Sequence, residues 1–256
     1  MDEEMMFEMS AGSLEGLPSV GEMFDLTGKV AVVSGTIGLA LSVIYRLASC
    51  GAKVVFGARR ETVGQMAEER LREMGLDVRF HKLDVSSVES CREIVAFAEQ
   101  TYGTVDIVVP VAAAFFARAF VDIKESEYDR IVDVDQKGQY FLVQAAARSM
   151  IRGKKGGKVV TVASVAYRGE DMPKLAMMTA YNTAKAGVVG MTRGIAKELK
   201  QYGINVNCVA PGGMVTPGAI FNNTTTAELY GPSGRAMWRN MAQVCLSRRI
   251  RMRSRG

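Results

Sequence analysis

The feature that most constrains the fold is an alternation of short β-branched runs with longer amphipathic stretches, which begins near Phe24 and continues to about residue 209. Segments 29–34, 53–57, 78–83, 105–109, 157–162 and 204–209 read as strands, and segments 38–50, 61–75, 87–102, 125–152 and 180–202 as helices. A strand-helix-strand rhythm joins parallel neighbours, because a parallel pair needs a crossover of about a dozen residues. The pattern therefore predicts an α/β fold, a doubly wound, Rossmann-like parallel sheet with helices on both faces. One domain is expected over 24–243, preceded by a loose, acidic, Met-rich extension (1–23) and followed by an unstructured basic tail (244–256). Ligands of such sheets bind outside the carboxyl ends of the strands, so function is to be sought after residues 34, 57, 83, 109, 162 and 209.

Composition removes several alternatives. The 256 residues are 48% hydrophobic, enough for a full core. The net charge of +5 is spread along the chain except at its end, which does not single out nucleic acid as a partner. Cys50, Cys91, Cys208 and Cys245 form no CxxC, and His81 is the only histidine, so metal clusters and a Ser-His-Asp triad are not expected. A reduced, cytoplasmic setting fits this cysteine usage. No apolar run reaches the roughly 18 residues of a membrane helix, and the acidic N-terminus does not read as a secretion signal.

The strand ends carry the chemistry. After the first strand, Ser34-Gly35-Thr36-Ile37-Gly38 opens a helix. Its glycines let helix N-terminal amides approach a phosphate, although a plain strand-to-helix turn reads the same way. After the second strand stand Arg59 and Arg60, with no acid for ribose hydroxyls. Two guanidiniums there either accept a 2′-phosphate, pointing to NADP(H) over NAD(H), or form a solvated basic turn. Asp84-Val85 follows the third strand, where the carboxylate either meets an adenine edge or begins the next turn. The fourth strand ends in the small residues Pro110–Ala114, with Ala112 near a cofactor, and the segment 132–138 interrupts the helix that follows. Ser164 ends the fifth strand. Pro211-Gly212 through Thr216 forms a rigid turn that passes over a bound cofactor, and Met214, Ile220, Phe221 and Trp238 make either an apolar lid or plain core. Tyr181 and Lys185 stand four apart on one helix face, so an ammonium can favour the phenolate.

In this order, Gly35 to Gly38, Asp84, Ser164, Tyr181-x-x-x-Lys185 and Asn207 to Gly212 resemble the short-chain dehydrogenase/reductase family in its compact form. The resemblance implies hydride transfer between a nicotinamide cofactor and a secondary alcohol or ketone. Tyr181 would be the acid/base, Lys185 would lower its pKa and hold the nicotinamide ribose, and Ser164 would bind the substrate oxygen. It also implies a small-molecule substrate and homo-oligomers through the helices at 125–152 and 180–202.

The sequence departs from the family pattern in four places. The loop at Ser34–Gly38 is three residues short and lacks the middle glycine of Thr-Gly-x-x-x-Gly-x-Gly. Pro110-Val111-Ala112-Ala113 replaces Asn-Asn-Ala-Gly, whose amides brace neighbouring strands. Asp135 stands where the family has the Asn that holds a proton-relay water, and its added carboxylate opposes phenolate formation. The final helix and strand give way to a run with five Arg among its last nine residues, read as a shifted reading frame, a basic tail or an unstructured end, so the last strand is expected to be missing. These departures leave an alternative function: a catalytically impaired relative that keeps the fold and binds cofactor poorly.

Overall fold

The computed structural model describes residues 2, 5, 6, 17–169, 177–212 and 214. Six strands, β1 (Val30–Ser34), β2 (Lys53–Ala58), β3 (Val78–Lys82), β4 (Ile107–Pro110), β5 (Gly157–Val162) and β6 (Ile204–Val209), form one sheet in the order β3-β2-β1-β4-β5-β6. Every pairing is parallel. The chain steps outward from β1 to β3 and then returns to β4 on the other side of β1. The direction of winding therefore reverses between β1 and β4, and the crevice at their carboxyl ends is the expected ligand site.

The crossovers are helical: α1 (Leu39–Ser49), α2 (Glu61–Glu73), α3 (Val88–Tyr102), α4 (Glu125–Val132), α5 (Gly138–Gly153) and α6 (Thr179–Leu199). Alternation along β1 shows why both faces must be covered. Val30 and Val32 pack into a core with Ile94, Leu142 and Ala146 of α3 and α5. Ala31 and Val33 pack into another with Ile44, Ala48 and Leu71 of α1 and α2. With β1 buried on both faces, its apolar run is continuous rather than alternating. Residues 20–23 of the expected loose extension make a single helical turn, closed by a capping box between Ser19 and Glu22, and bury nothing.

Two local features position the site. The expected helix interruption is a π segment, Asp133–Lys137, that joins α4 to α5 without breaking the helix. It widens one turn and re-aims Asp135 and Gln139 inward, as such bulges do at functional sites. The β4–β5 ladder is also short, ending at Val108 and Val159, and β4 then closes on Pro110, which has no N–H to donate. In the gap lies the Gln139 side chain, whose Nε2 donates to Val162 O at 2.8 Å and whose Oε1 accepts from Val162 N at 3.1 Å. A side-chain amide thus continues the ladder where a strand cannot.

Beyond β5, α6 packs closely against the π segment through small residues. A Cβ on Gly187 would lie 2.5 Å from Gln136 Nε2, and Ala180 and Ala184 are buried beneath Tyr181 and Lys185. Among the described residues β6 is one edge of the sheet and β3 the other. The expected missing strand, the basic tail and the lid residues Thr216, Ile220, Phe221 and Trp238 lie outside the described residues.

Candidate active site

A cleft of about 690 Å³ opens at the carboxyl ends of the strands, within the roughly 300–1,000 Å³ of small-molecule sites. Gly35, Thr36, Ile37, Gly38, Arg59, Arg60, Asp84, Val85, Ala112, Ser164, Tyr181, Lys185, Pro211 and Gly212 all line it. Two expected site residues do not: Asp135 lies behind Lys185, fully buried, and Thr216 is outside the described residues.

The shortened loop still forms an anion cradle. Gly38 ends it as the N-cap of α1, with no side chain bonded to the helix's free amides. Those amides are open to a phosphate. Gly35 adopts φ +107°, and a Cβ there would lie 2.7 Å from Ala40 Cβ, so only glycine fits the turn. Next to the loop, Arg59 and Arg60 are exposed, and neither has an ion-pair partner among the described residues. The nearby carboxylate of Glu61 is taken by Lys82 at 2.7 Å. Asp84 lines the cleft, and its Oδ1 accepts from Ser86 N at 3.0 Å and Ser86 Oγ at 2.6 Å, which shapes the turn. Free helix N-terminal amides, an apolar slot and the Asp84 carboxylate at one end of the cleft fit a dinucleotide.

The segment after β4 corrects one expectation. Without the family's Asn side chains, the strands are braced through the segment's own backbone. Ala112 N donates to Ser34 Oγ at 3.0 Å, and Ala114 N donates to Asp135 Oδ2 at 2.8 Å. Ser34 and Asp135 supply the acceptors, so alanine suffices in the segment itself.

At the far end of the cleft Tyr181, Ser164 and Lys185 converge. Phe115 stacks edge-on against Tyr181, with ring centroids 5.2 Å apart. Lys185 Nζ lies 5.4 Å from the Tyr181 ring centre, donates to Val162 O at 3.1 Å and meets Asp135 Oδ1 at 2.9 Å. That last contact is charge without good alignment, since Oδ1 accepts no well-aligned hydrogen bond. Both partners are almost fully excluded from water, with side-chain exposures of 2% and 0%. Burial holds the Asp135 carboxyl above the usual carboxylate range, and the Lys185 ammonium and Ala114 amide offset only part of that rise.

The electrostatics of Tyr181 differ from the expected lowering by Lys185. Its phenol is pushed up to about 12, first by burial and then by the Asp135 charge, while the Ser164 hydroxyl pulls the other way. The ammonium's field is cancelled by the carboxylate beside it, as the added negative charge at position 135 foreshadowed.

Several residues of the site escape the sequence reading. Gln139 is buried, bonded to Asp135 O at 3.0 Å as well as to Val162. Its signal is a polar residue four positions after Asp135, on the same helix face. Phe115 and Arg130 also line the cleft, and nothing in the local sequence distinguishes them.

Residues 29–227 match the family model described as short chain dehydrogenase. An uncharacterized oxidoreductase of Thermotoga maritima is 34% identical over 195 residues, 75% of this chain and 73% of that protein. Galactitol 2-dehydrogenase of Agrobacterium fabrum is 33% identical over 192 residues, 73% of this chain and 71% of that protein. Among solved structures, a short-chain type dehydrogenase/reductase from Mycobacterium marinum superposes with a TM-score of 0.73 at 32% identity, covering 76% of this chain and 78% of that one. A variant actinorhodin polyketide ketoreductase with NADPH gives 0.76 at 27% identity, over 82% and 79% of the two chains.

Proposed function

The chain belongs to the short-chain dehydrogenase/reductase family, and on that premise we propose that it transfers a hydride between a nicotinamide dinucleotide and a small secondary alcohol or ketone, with NADP(H) preferred over NAD(H). The observation that carries the reading is the arrangement of one cleft: a phosphate cradle and two unpaired guanidiniums at one end, and Ser164, Tyr181 and Lys185 at the other. The NADPH named with the ketoreductase neighbour agrees with it.

When bound, the dinucleotide supplies or takes the hydride at its nicotinamide ring. The chain's own residues do the rest. Gly35 to Gly38 and the start of α1 hold the pyrophosphate, and Arg59 and Arg60 hold the 2′-phosphate. Val85, Ala112, Pro211 and Gly212 wall the remainder. Ser164 hydrogen-bonds the substrate oxygen, and Tyr181 gives that oxygen a proton or removes one. Lys185 spends one ammonium proton on Val162 O and faces Asp135 with another, which leaves a third for the nicotinamide ribose.

Calorimetric titration with NADPH and NADH side by side tests the cofactor assignment. NADPH binds more tightly by roughly tenfold or more, and Arg59→Ala with Arg60→Ala removes that advantage while sparing NADH. Absorbance of reduced nicotinamide against a panel of carbonyls tests the reaction, and turnover undiminished in Tyr181→Phe sinks the mechanism. The proposal extends to homo-oligomers built through α5 and α6, which sedimentation velocity reads directly. The described residues of the cradle and the acid/base cluster give no support to an impaired, fold-only protein.

A further inference from the structure

The ion pair between Asp135 and Lys185 has a consequence for the site's chemistry that rests on the hydride-transfer reading. An ammonium beside a phenol ordinarily favours the phenolate, and a carboxylate at the same place cancels that effect. Here the carboxylate is 2.9 Å from the ammonium, both are sealed from water, and Ala114 N fixes the second carboxylate oxygen at 2.8 Å. Salt and solvent screen such a buried pair far less than an exposed one. The other groups around Tyr181 do not replace the lost positive field. Arg118, on the chain packed beneath the ring, is itself paired with Glu127 at 2.6 Å, and Ser164 and Phe115 are neutral. Arg130 reaches the same cleft from α4, on its exposed side.

We propose that Asp135 is a positioning residue that neutralises Lys185 and keeps Tyr181 a protonated phenol, so that near neutral pH the site serves proton donation and hence carbonyl reduction. A bound reduced nicotinamide dinucleotide would supply the hydride to the carbonyl carbon and be oxidised by it, while Tyr181 would give the carbonyl oxygen its proton and, left as tyrosinate beside the alcohol, take a proton back from water. Alcohol oxidation needs the tyrosinate at the start and so gains rate steeply as pH rises. The rise of the Tyr181 phenol to about 12 agrees with this placement.

The experiment is a tyrosine titration of the full chain without cofactor or substrate, by NMR of ring-¹³C-tyrosine, with the Tyr181 signal identified by its loss in Tyr181→Phe. In the wild type that signal stays neutral to beyond about pH 10, and in Asp135→Asn it titrates at least about one unit lower. The pH profile of alcohol oxidation moves to lower pH by the same amount, which a merely structural role would not produce. A wild-type Tyr181 that ionises below about pH 9, or an Asp135→Asn chain with an unmoved Tyr181, overturns the proposal. If Asp135→Asn does not fold, Asp135→Ser is titrated in its place, and an unmoved Tyr181 there overturns the proposal. Normal titration in a chain that turns over no carbonyl overturns the hydride-transfer reading and leaves the effect of Asp135 on Tyr181 established.

Discussion

Gln139→Leu is the substitution that most directly tests how the site is held. The side chain is 2% exposed and makes three hydrogen bonds: to Asp135 O at 3.0 Å, to Val162 O at 2.8 Å and from Val162 N at 3.1 Å. Leucine nearly conserves the volume, so packing changes little and the polar bookkeeping dominates. Val162 O keeps Lys185 Nζ as a donor, whereas Val162 N faces a gap that β4 does not fill. Leaving a buried group unpaired costs roughly 1–3 kcal/mol, so orphaning Val162 N–H and losing the bond to Asp135 O sum to about 2–5 kcal/mol. Urea unfolding at neutral pH measures it as a shifted midpoint with an unchanged slope. Gln139→Glu separates the contributions, since it keeps the acceptor for Val162 N and loses both donated bonds. Turnover should fall about tenfold or more, because Val162 O also anchors Lys185 and Ser164 lies two residues beyond. A loss below about 1 kcal/mol would refute the claim that this amide replaces a strand.

Three further outcomes follow from the geometry. Gly35→Ala forces a Cβ to 2.7 Å from Ala40 Cβ at a φ of +107°, so a stability loss of about 2–4 kcal/mol and weaker NADPH binding are expected in thermal unfolding and calorimetry. Cys91, pushed up to about 12 by burial and then by Asp84, stays a thiol at pH 8. Mass spectrometry after iodoacetamide treatment should find it unmodified in the native protein and alkylated once unfolded. Tyr102, raised by burial and its bond to Asp77, and Tyr181, raised to about 12, both hold their protons more tightly folded than unfolded. Their stabilisation is complete below about pH 10, the unfolded value, and is lost as pH climbs through the folded values. Denaturant midpoints should therefore decline from pH 10 toward 12, less steeply in Tyr102→Phe, and a flat profile would contradict the assignment.

Most of the fold is legible because burial on two faces leaves its mark on composition. The run Val30–Ser34 is apolar at every position but its last, as only a central parallel strand needs to be, and β1 pairs on both sides. Strand ends are harder to read. The fourth strand extends to Pro110, which pattern alone excludes, because a proline at the last position of a strand loses only an N–H that the opening ladder no longer uses. The π segment also evades periodicity, since one widened turn shifts the register of the following residues without changing their helical character.

The site divides along a similar line. Residues whose side chains line the cleft, such as Ser164 after β5 and Tyr181 and Lys185 on α6, announce themselves by type and order. Those that act by accepting backbone hydrogen bonds do not. Substitution of the family's Asn pair by Pro110 and Val111 reads as a loss when side chains alone are compared. In the folded chain the amides of Ala112 and Ala114 make the bracing contacts, and their acceptors come from distant positions, Ser34 Oγ and Asp135 Oδ2. The same Asp135 that completes this brace also pairs with Lys185 at 2.9 Å. Two departures from the family pattern thereby meet at one carboxylate, which accepts from the amide of Ala114 with one oxygen and stands 2.9 Å from Lys185 Nζ with the other. Asparagine at 135 offers one oxygen where aspartate offers two, so it can serve either Ala114 N or Lys185 but not both.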